Sequence, residues 1–321
     1  MATCRWIIAL ILLAAGPVLA GDMPVIRAAV LKIGTVNWEL STIIDNGLDR
    51  KHGFTLTVQP YADNGATRIA VEGGEADMAV ADWIWLARQR AAGKDYVFVP
   101  YSKAVGGVVV PGDAASTSLE DLAGGKIGIA GGPLDKSWLI LRAYAAQAHD
   151  MDLKATTEQV YGAPPLIFKS ALGGEYAGAI NFWHFLAKMK AAGMSELISV
   201  EEAGAALGLD IETPLVGYYM KERFLNDHPA LAQSFFEASR EAKDILARDP
   251  QAWEAIRPQM NAANDAEFEQ LKTDWIKGIP ARARMDEKAA AEFLGVMADL
   301  GGPALVGDAT TLPAGLFADV K

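Results

Sequence analysis

Gly73–Gly93 reads GGEADMAVADWIWLARQRAAG, and Gly173–Gly193 reads GGEYAGAINFWHFLAKMKAAG. The two stretches lie one hundred residues apart and agree at ten of twenty-one positions. The shared residues are both leading glycines, Glu75/Glu175, Ala79/Ala179, Trp83/Trp183, Leu86/Leu186, Ala87/Ala187, Ala91/Ala191, Ala92/Ala192 and Gly93/Gly193. Arg88 and Arg90 are answered by Lys188 and Lys190. Chance in an Ala- and Gly-rich chain supplies about two such matches. The stretch is a duplicated unit, and the rest of the chain is organised around it.

One copy explains itself locally. The Gly-Gly pair ends a helix, because glycine takes positive φ without a Cβ clash. Asp77–Ala81 is a short apolar run with the length of a buried parallel strand. Asp82 is a good N-cap, and Trp83–Ala92 continues at helical spacing until Gly93. Trp83 therefore sits at a strand-to-helix switch, the edge where open α/β sheets bind ligands. Trp183 holds the same place in the second copy. Trp38/Trp138 and Tyr61/Tyr161 repeat the same offset near other strand ends. These pairs suit either a cleft lined by aromatic rings or ordinary core packing.

The first twenty residues, MATCRWIIALILLAAGPVLA, have a basic start at Arg5, an apolar centre and a Val18-Leu19-Ala20 cleavage pattern. Residues 1–20 are expected to be a secretory signal peptide, too short to span a membrane. No other run is expected to be long enough to do so. Cys4, the one cysteine, leaves with the leader, so no disulfide, thiolate metal site or cysteine nucleophile is expected. The remaining chain carries 28 basic and 40 acidic residues, net −12. Nothing basic is clustered, so nucleic acid and anionic membranes are poor partners.

Beyond the leader, strands alternate with helices, which implies parallel sheets. Strands are expected at Val25–Ile33, Phe54–Val58, Asp77–Ala81 and Tyr96–Ser102, then again at Lys126–Ala130, Val160-Tyr161 and the second copy. Gly107–Val110 and Pro214–Met220 read as strands that cross between lobes. From Glu222 to Leu300 the pattern is helical, and Gly301–Lys321 reads as a surface loop. The expected organisation is lobe 1 at 21–108 plus 216–321 and lobe 2 at 109–215. The hinge is expected at Gly107–Pro111 and Pro214–Tyr219, giving a two-strand clamp for a small solute.

The run Tyr61–Val99, with SLEDLAGGKIGIAGG and Leu166–Trp183, resembles the solute-binding proteins of ABC importers in the sulfonate, taurine and nitrate group, also labelled NMT1/THI5-like. The similarity covers about residues 26 to 225. It implies a type II periplasmic binding protein of two lobes, each a mostly parallel sheet flanked by helices. It also implies a periplasmic monomer that delivers its solute to an ABC permease in the inner membrane. Ligand contacts then fall at Thr35, Asn37, Trp38, Asn64, Asp82, Trp83, Ser102, Lys136, Ser137, Tyr161, Asn181 and Trp183. The repeat offset adds Tyr61 and Trp138.

Gly131-Gly132 before a helix would aim backbone N–H groups at an anion, with Lys136 and Ser137 adding a charge and a hydroxyl; a plain tight turn reads equally well. Lys103 is expected to be solvated, Arg68 to lie on an exposed helix face, and Asp82 to serve as a cap. His52, His149, His184 and His228 have no metal-ligand spacing, and no cofactor or metal is expected. The cysteine-rich motif of pyrimidine synthases of similar fold is absent, so no catalysis is expected. A periplasmic sensor presenting its ligand to a receptor is the alternative reading. Four Trp and two Tyr with anion donors suit a planar aromatic acid, such as pyrroloquinoline quinone or a vitamin-like heterocycle. An aryl or alkyl sulfonate is what the resemblance implies.

Overall fold

The structure, a computed structural model, describes residues 23–281 and 284–320. The expected leader, with Cys4 and the cleavage point at Ala20, lies outside them. The chain builds two five-stranded sheets of one design. The first has the order β2-β1-β3-β10-β4, from Val25–Leu31 (β1), Thr55–Tyr61 (β2), Met78–Asp82 (β3), Tyr96–Ser102 (β4) and Val216–Lys221 (β10). The second has the order β7-β6-β8-β5-β9, from Gly107–Val110 (β5), Lys126–Ala130 (β6), Glu158–Gly162 (β7), Gly178–Asn181 (β8) and Ser195–Ser199 (β9). In the first sheet β1 runs parallel to β2 and β3, and β10 is antiparallel between β3 and β4. In the second β6 runs parallel to β7 and β8, and β5 is antiparallel between β8 and β9. The duplication seen in sequence is a duplication of sheets.

The two copies of the repeat form β3 with helix Trp83–Ala91 and β8 with helix Trp183–Ala191. Each helix stops at a glycine in the left-handed region, Gly93 at φ 86° and Gly193 at φ 94°, which a side chain would disfavour. The strands are buried almost throughout, as strands covered on both faces must be.

The crossings differ from expectation by a few residues. β5 belongs wholly to the second sheet and β10 wholly to the first. The expected boundary between 108 and 109 thus falls inside a strand. The chain passes between sheets at 103–106, and returns through helix Val200–Ala206 and residues 207–215. Lys103, expected in solvent, instead ties the two passages together by an ion pair of 2.6 Å to Glu212.

Among the described residues five helices follow β10, the longest being Leu231–Arg248 and Glu287–Val306. Helix Glu287–Val306 is, against expectation, long and apolar enough to cross a membrane by length and composition. Its backbone breaks at Gly302, and Ala290, Leu294 and Met297 are buried in the protein core. The final segment is more than a surface loop. Phe98 exchanges backbone hydrogen bonds with Leu316 and Ala318 at 2.7 and 2.9 Å, and Leu316 and Val320 are buried.

Candidate functional site

A cavity of about 440 Å³ opens between the two sheets, within the range of small-molecule sites. The first sheet and its helices supply Thr35, Asn64, Thr67, Arg68, Asp82, Tyr101 and Ser102; the second supplies Asp135, Lys136, Ser137, Phe182, Trp183 and His184. Both crossings contribute, through Ala104–Gly106 and Leu215-Val216. Seven of the residues expected from sequence therefore line it: Thr35, Asn64, Asp82, Ser102, Lys136, Ser137 and Trp183.

The other seven do not line it. Trp83 is fully buried, its indole edge-on to Phe293 and Phe317 at 5.8 and 5.9 Å. Trp138 is likewise buried in the same core. Trp38 stands behind the cavity wall, edge-on to Trp183 at 5.9 Å and to Trp253 at 6.1 Å. Asn37 donates to the Leu31 and Gly34 carbonyls, both at 2.8 Å, and so fastens the turn after β1. Asn181 does the same after β8, donating to the Pro164 carbonyl at 3.0 Å and accepting from the Phe182 N–H at 2.8 Å. Tyr61 and Tyr161 pack partly buried against the core. The pairs at the hundred-residue offset are thus mostly architecture, and Trp183 alone among the expected tryptophans reaches the cavity.

The copies diverge at this point for a physical reason. Asp82 caps the Trp83 helix, accepting from the Trp85 N–H at 2.8 Å, and the chain's last segment covers the Trp83 ring. In the second copy Phe182 holds the cap position and has no side-chain cap to offer. Trp183 is only partly buried, packed against the cluster of Trp38, Trp253 and Trp275 and beside His184, with its ring at the cavity.

The charges do not form a plain anion site. The helix that follows Gly131-Gly132 starts at Lys136, and its N-terminus is taken by Asp135, which accepts from the Trp138 N–H at 3.1 Å. Burial, with Asp82 nearby, holds the Asp135 carboxyl above its usual range. Lys136 reaches across to Asp82 at 3.0 Å. Arg68, expected on an exposed face, lines the cavity with its guanidinium 4.0 Å over the Trp85 ring. Two cations thus face two carboxylates. Burial, then Lys188, pushes the His184 imidazole down to about 4, so it is neutral at ordinary pH. Among the described residues no group of His, Cys, Asp and Glu is arranged to hold a metal ion.

Sequence reasoning missed Asp135, Thr67 and Tyr101 as lining residues, whereas Phe182 lies within the expected Asn181–Trp183 contacts and His184 borders them. Asp135 was legible as an N-cap before Lys136, and Phe182 and His184 flank Trp183. Tyr101 gave no signal, since it sits in the continuous apolar run of β4.

Residues 44–253 match the family described as NMT1/THI5 like. No curated protein sequence matches the chain. Several solved structures share its fold. The alkanesulfonate-binding protein SsuA from Xanthomonas axonopodis pv. citri, bound to MOPS, is 16% identical with a TM-score of 0.69, over 94% of this chain and 100% of that one. The aliphatic sulphonate binding protein SsuA from Escherichia coli is 18% identical with a TM-score of 0.69, over 88% and 94%. An ABC transporter protein from Parabacteroides distasonis is 14% identical with a TM-score of 0.68, over 92% and 99%. Two matched sheets around a shared cavity, and a family match spanning most of the chain, lead to one assignment: this chain belongs to the NMT1/THI5-like family, on the periplasmic binding protein fold.

Proposed function

We propose that the protein is the periplasmic solute-binding component of an ABC import system and hands its solute to an inner-membrane permease as a monomer. The observation that carries this reading is the cavity, walled by both sheets and both crossings, so that one small molecule touches both halves at once. A ligand held this way favours the closed arrangement, which is how a binding protein signals that it is loaded. The solute is small, with a flat or apolar body against Trp183 and Phe182 and a polar group at the Asp82–Lys136 end. The relatives named for sulfonate binding support a solute with an acidic group. The burial of Trp83 and Trp138 removes the argument for four stacked indoles, and one aromatic wall remains.

The test is native mass spectrometry of protein purified from its own periplasm, followed by denaturation and identification of the released molecule. A single co-purifying small solute, lost in Trp183→Ala, is the expected result. Protein that arrives empty and shows no thermal shift with any member of a solute library, sulfonates included, overturns the reading.

A further inference from the structure

Asp82 and Lys136 meet inside the cavity, yet they come from opposite sheets. Asp82 ends β3, and Lys136 opens the helix that follows β6. One carboxylate oxygen of Asp82 caps the Trp83 helix, and the other accepts from the Lys136 ammonium at 3.0 Å. The side chains are 18% and 25% exposed, so water screens the pair only in part. We propose that this pair makes Asp82 the specificity-determining residue of the cleft, selecting a zwitterionic solute whose cationic group takes Asp82 and whose anionic group takes Lys136. The proposal rests on the solute-binding reading above and adds the charge class of the solute.

The argument is one of charge conservation. A plain anion competes with Asp82 for the Lys136 ammonium and weakens the pairing of that carboxylate. Asp135 lines the same cavity, so three acidic groups would then share two cations, Lys136 and Arg68. Leaving one member of a shielded pair uncompensated is strongly unfavourable. A plain cation competes with Lys136 for Asp82 in the same way. Arg68, stacked on Trp85 at 4.0 Å, is the second cation of the same cavity, so the site is charge-balanced before a solute enters and a zwitterion keeps it so. A zwitterion replaces each partner with a group of equal charge. It also bridges the two sheets where the direct ion pair bridged them before, so its binding keeps the halves together. Thr35, Asn64 and Ser137 supply neutral donors and acceptors around the two poles.

The test uses three probes with one body: 4-(aminomethyl)benzoate, 4-methylbenzoate and 4-methylbenzylammonium. Each is titrated by calorimetry into the wild-type protein, Asp82→Asn and Asp82→Ser. Asparagine and serine both keep an oxygen for the Trp85 N–H, so the helix cap survives, and the melting temperature without probe checks the fold. The wild type is expected to bind the zwitterion at least about tenfold more tightly than either single-charge probe, equivalent to 1.4 kcal/mol. Both variants are expected to lose about tenfold on the zwitterion and to gain on the anion. A wild type that binds the anion as tightly as the zwitterion overturns the proposal, as do variants that weaken all three probes alike. A wild type that binds none of the three also overturns it. The solute-binding reading is judged separately, by the native mass measurement.

Discussion

Trp83 and Trp183 occupy the same place in two copies of one motif and do different work. Trp83 is enclosed by Phe293 and Phe317, whereas Trp183 borders the cavity. Trp83→Ala should therefore cost stability, about 3–5 kcal/mol for truncating a buried indole, with affinity per folded molecule unchanged. Trp183→Ala should weaken solute binding by about ten- to a hundredfold, the worth of one stacking contact, with a smaller change in melting temperature. Thermal unfolding without solute and calorimetry with it separate the two; equal losses of stability in both variants would show that Trp183 is architectural too. His184 carries a pH prediction. Burial, then Lys188, depresses its folded pKa from 6.5 to about 4. As pH falls, the unfolded chain takes up this proton first, so the stability tied to neutral His184 is complete above the unfolded pKa and is lost as pH drops from 6.5 towards 4. His184→Gln should flatten that part of the melting-temperature profile; an unchanged slope would remove His184 as its cause.

At the scale of elements, the repeat's paired basic residues fasten both copies to the chain's C-terminal third. Arg88 donates to the Ala304 carbonyl at 3.1 Å, and Arg90 to the Tyr96 and Ala314 carbonyls, both at 2.8 Å. Lys188 donates to the Asn261 carbonyl at 2.7 Å and pairs with Glu267, while Lys190 bridges Glu196 at 3.1 Å and Asp274 at 2.9 Å. The basic residues fall in the last turn of each helix, where the helix dipole favours positive charge. Helix Trp183–Ala191 is thereby held to helix Asp265–Lys277 across the two halves. Lys190→Met leaves Asp274 and Glu196 without their shared cation, and Asp274 is only 12% exposed. The expected cost is about 1–3 kcal/mol, read as a lowered thermal midpoint that Lys190→Arg largely restores. A melting temperature equal to wild type would show that the bridge contributes nothing.

At the scale of the molecule, two cavities lie on either side of the crossings. The second, about 370 Å³, is lined by Lys103, Lys190, Asp274 and Gly278 and shares Trp183 and Ala104–Gly106 with the first. A solute that touches both sheets favours the arrangement in which they are drawn together. Solute should therefore compact the protein in small-angle scattering, and equal radii at saturation would mark a rigid binder. Gly106 is the tightest point of the wall, because a Cβ there would overlap the carbonyl oxygen of Asn181. Gly106→Ala should push β5 away from the end of β8 and cost about 1–3 kcal/mol by overpacking. Urea unfolding measures this, and an unperturbed midpoint would show that the crossing has slack.

What the sequence determined by itself was local and periodic. A hundred-residue repeat specified two sheets of one order, apolar runs specified buried strands, and Asp82 before a helical pattern specified an N-cap that is present at 2.8 Å. It also brought Thr35, Asn64, Asp82, Ser102, Lys136, Ser137 and Trp183 to one edge, since strand ends of parallel sheets share a side. Only the tertiary structure decided which tryptophan stayed open. The rings that cover Trp83 come from residues 293 and 317, and no local pattern encodes which copy they reach. The same holds for charge. Lys136 is matched by Asp82 and the buried Lys243 by Glu39, partners 54 and 204 residues away. Periodicity reports which face of an element is apolar; what lies opposite that face is set by how distant elements pack.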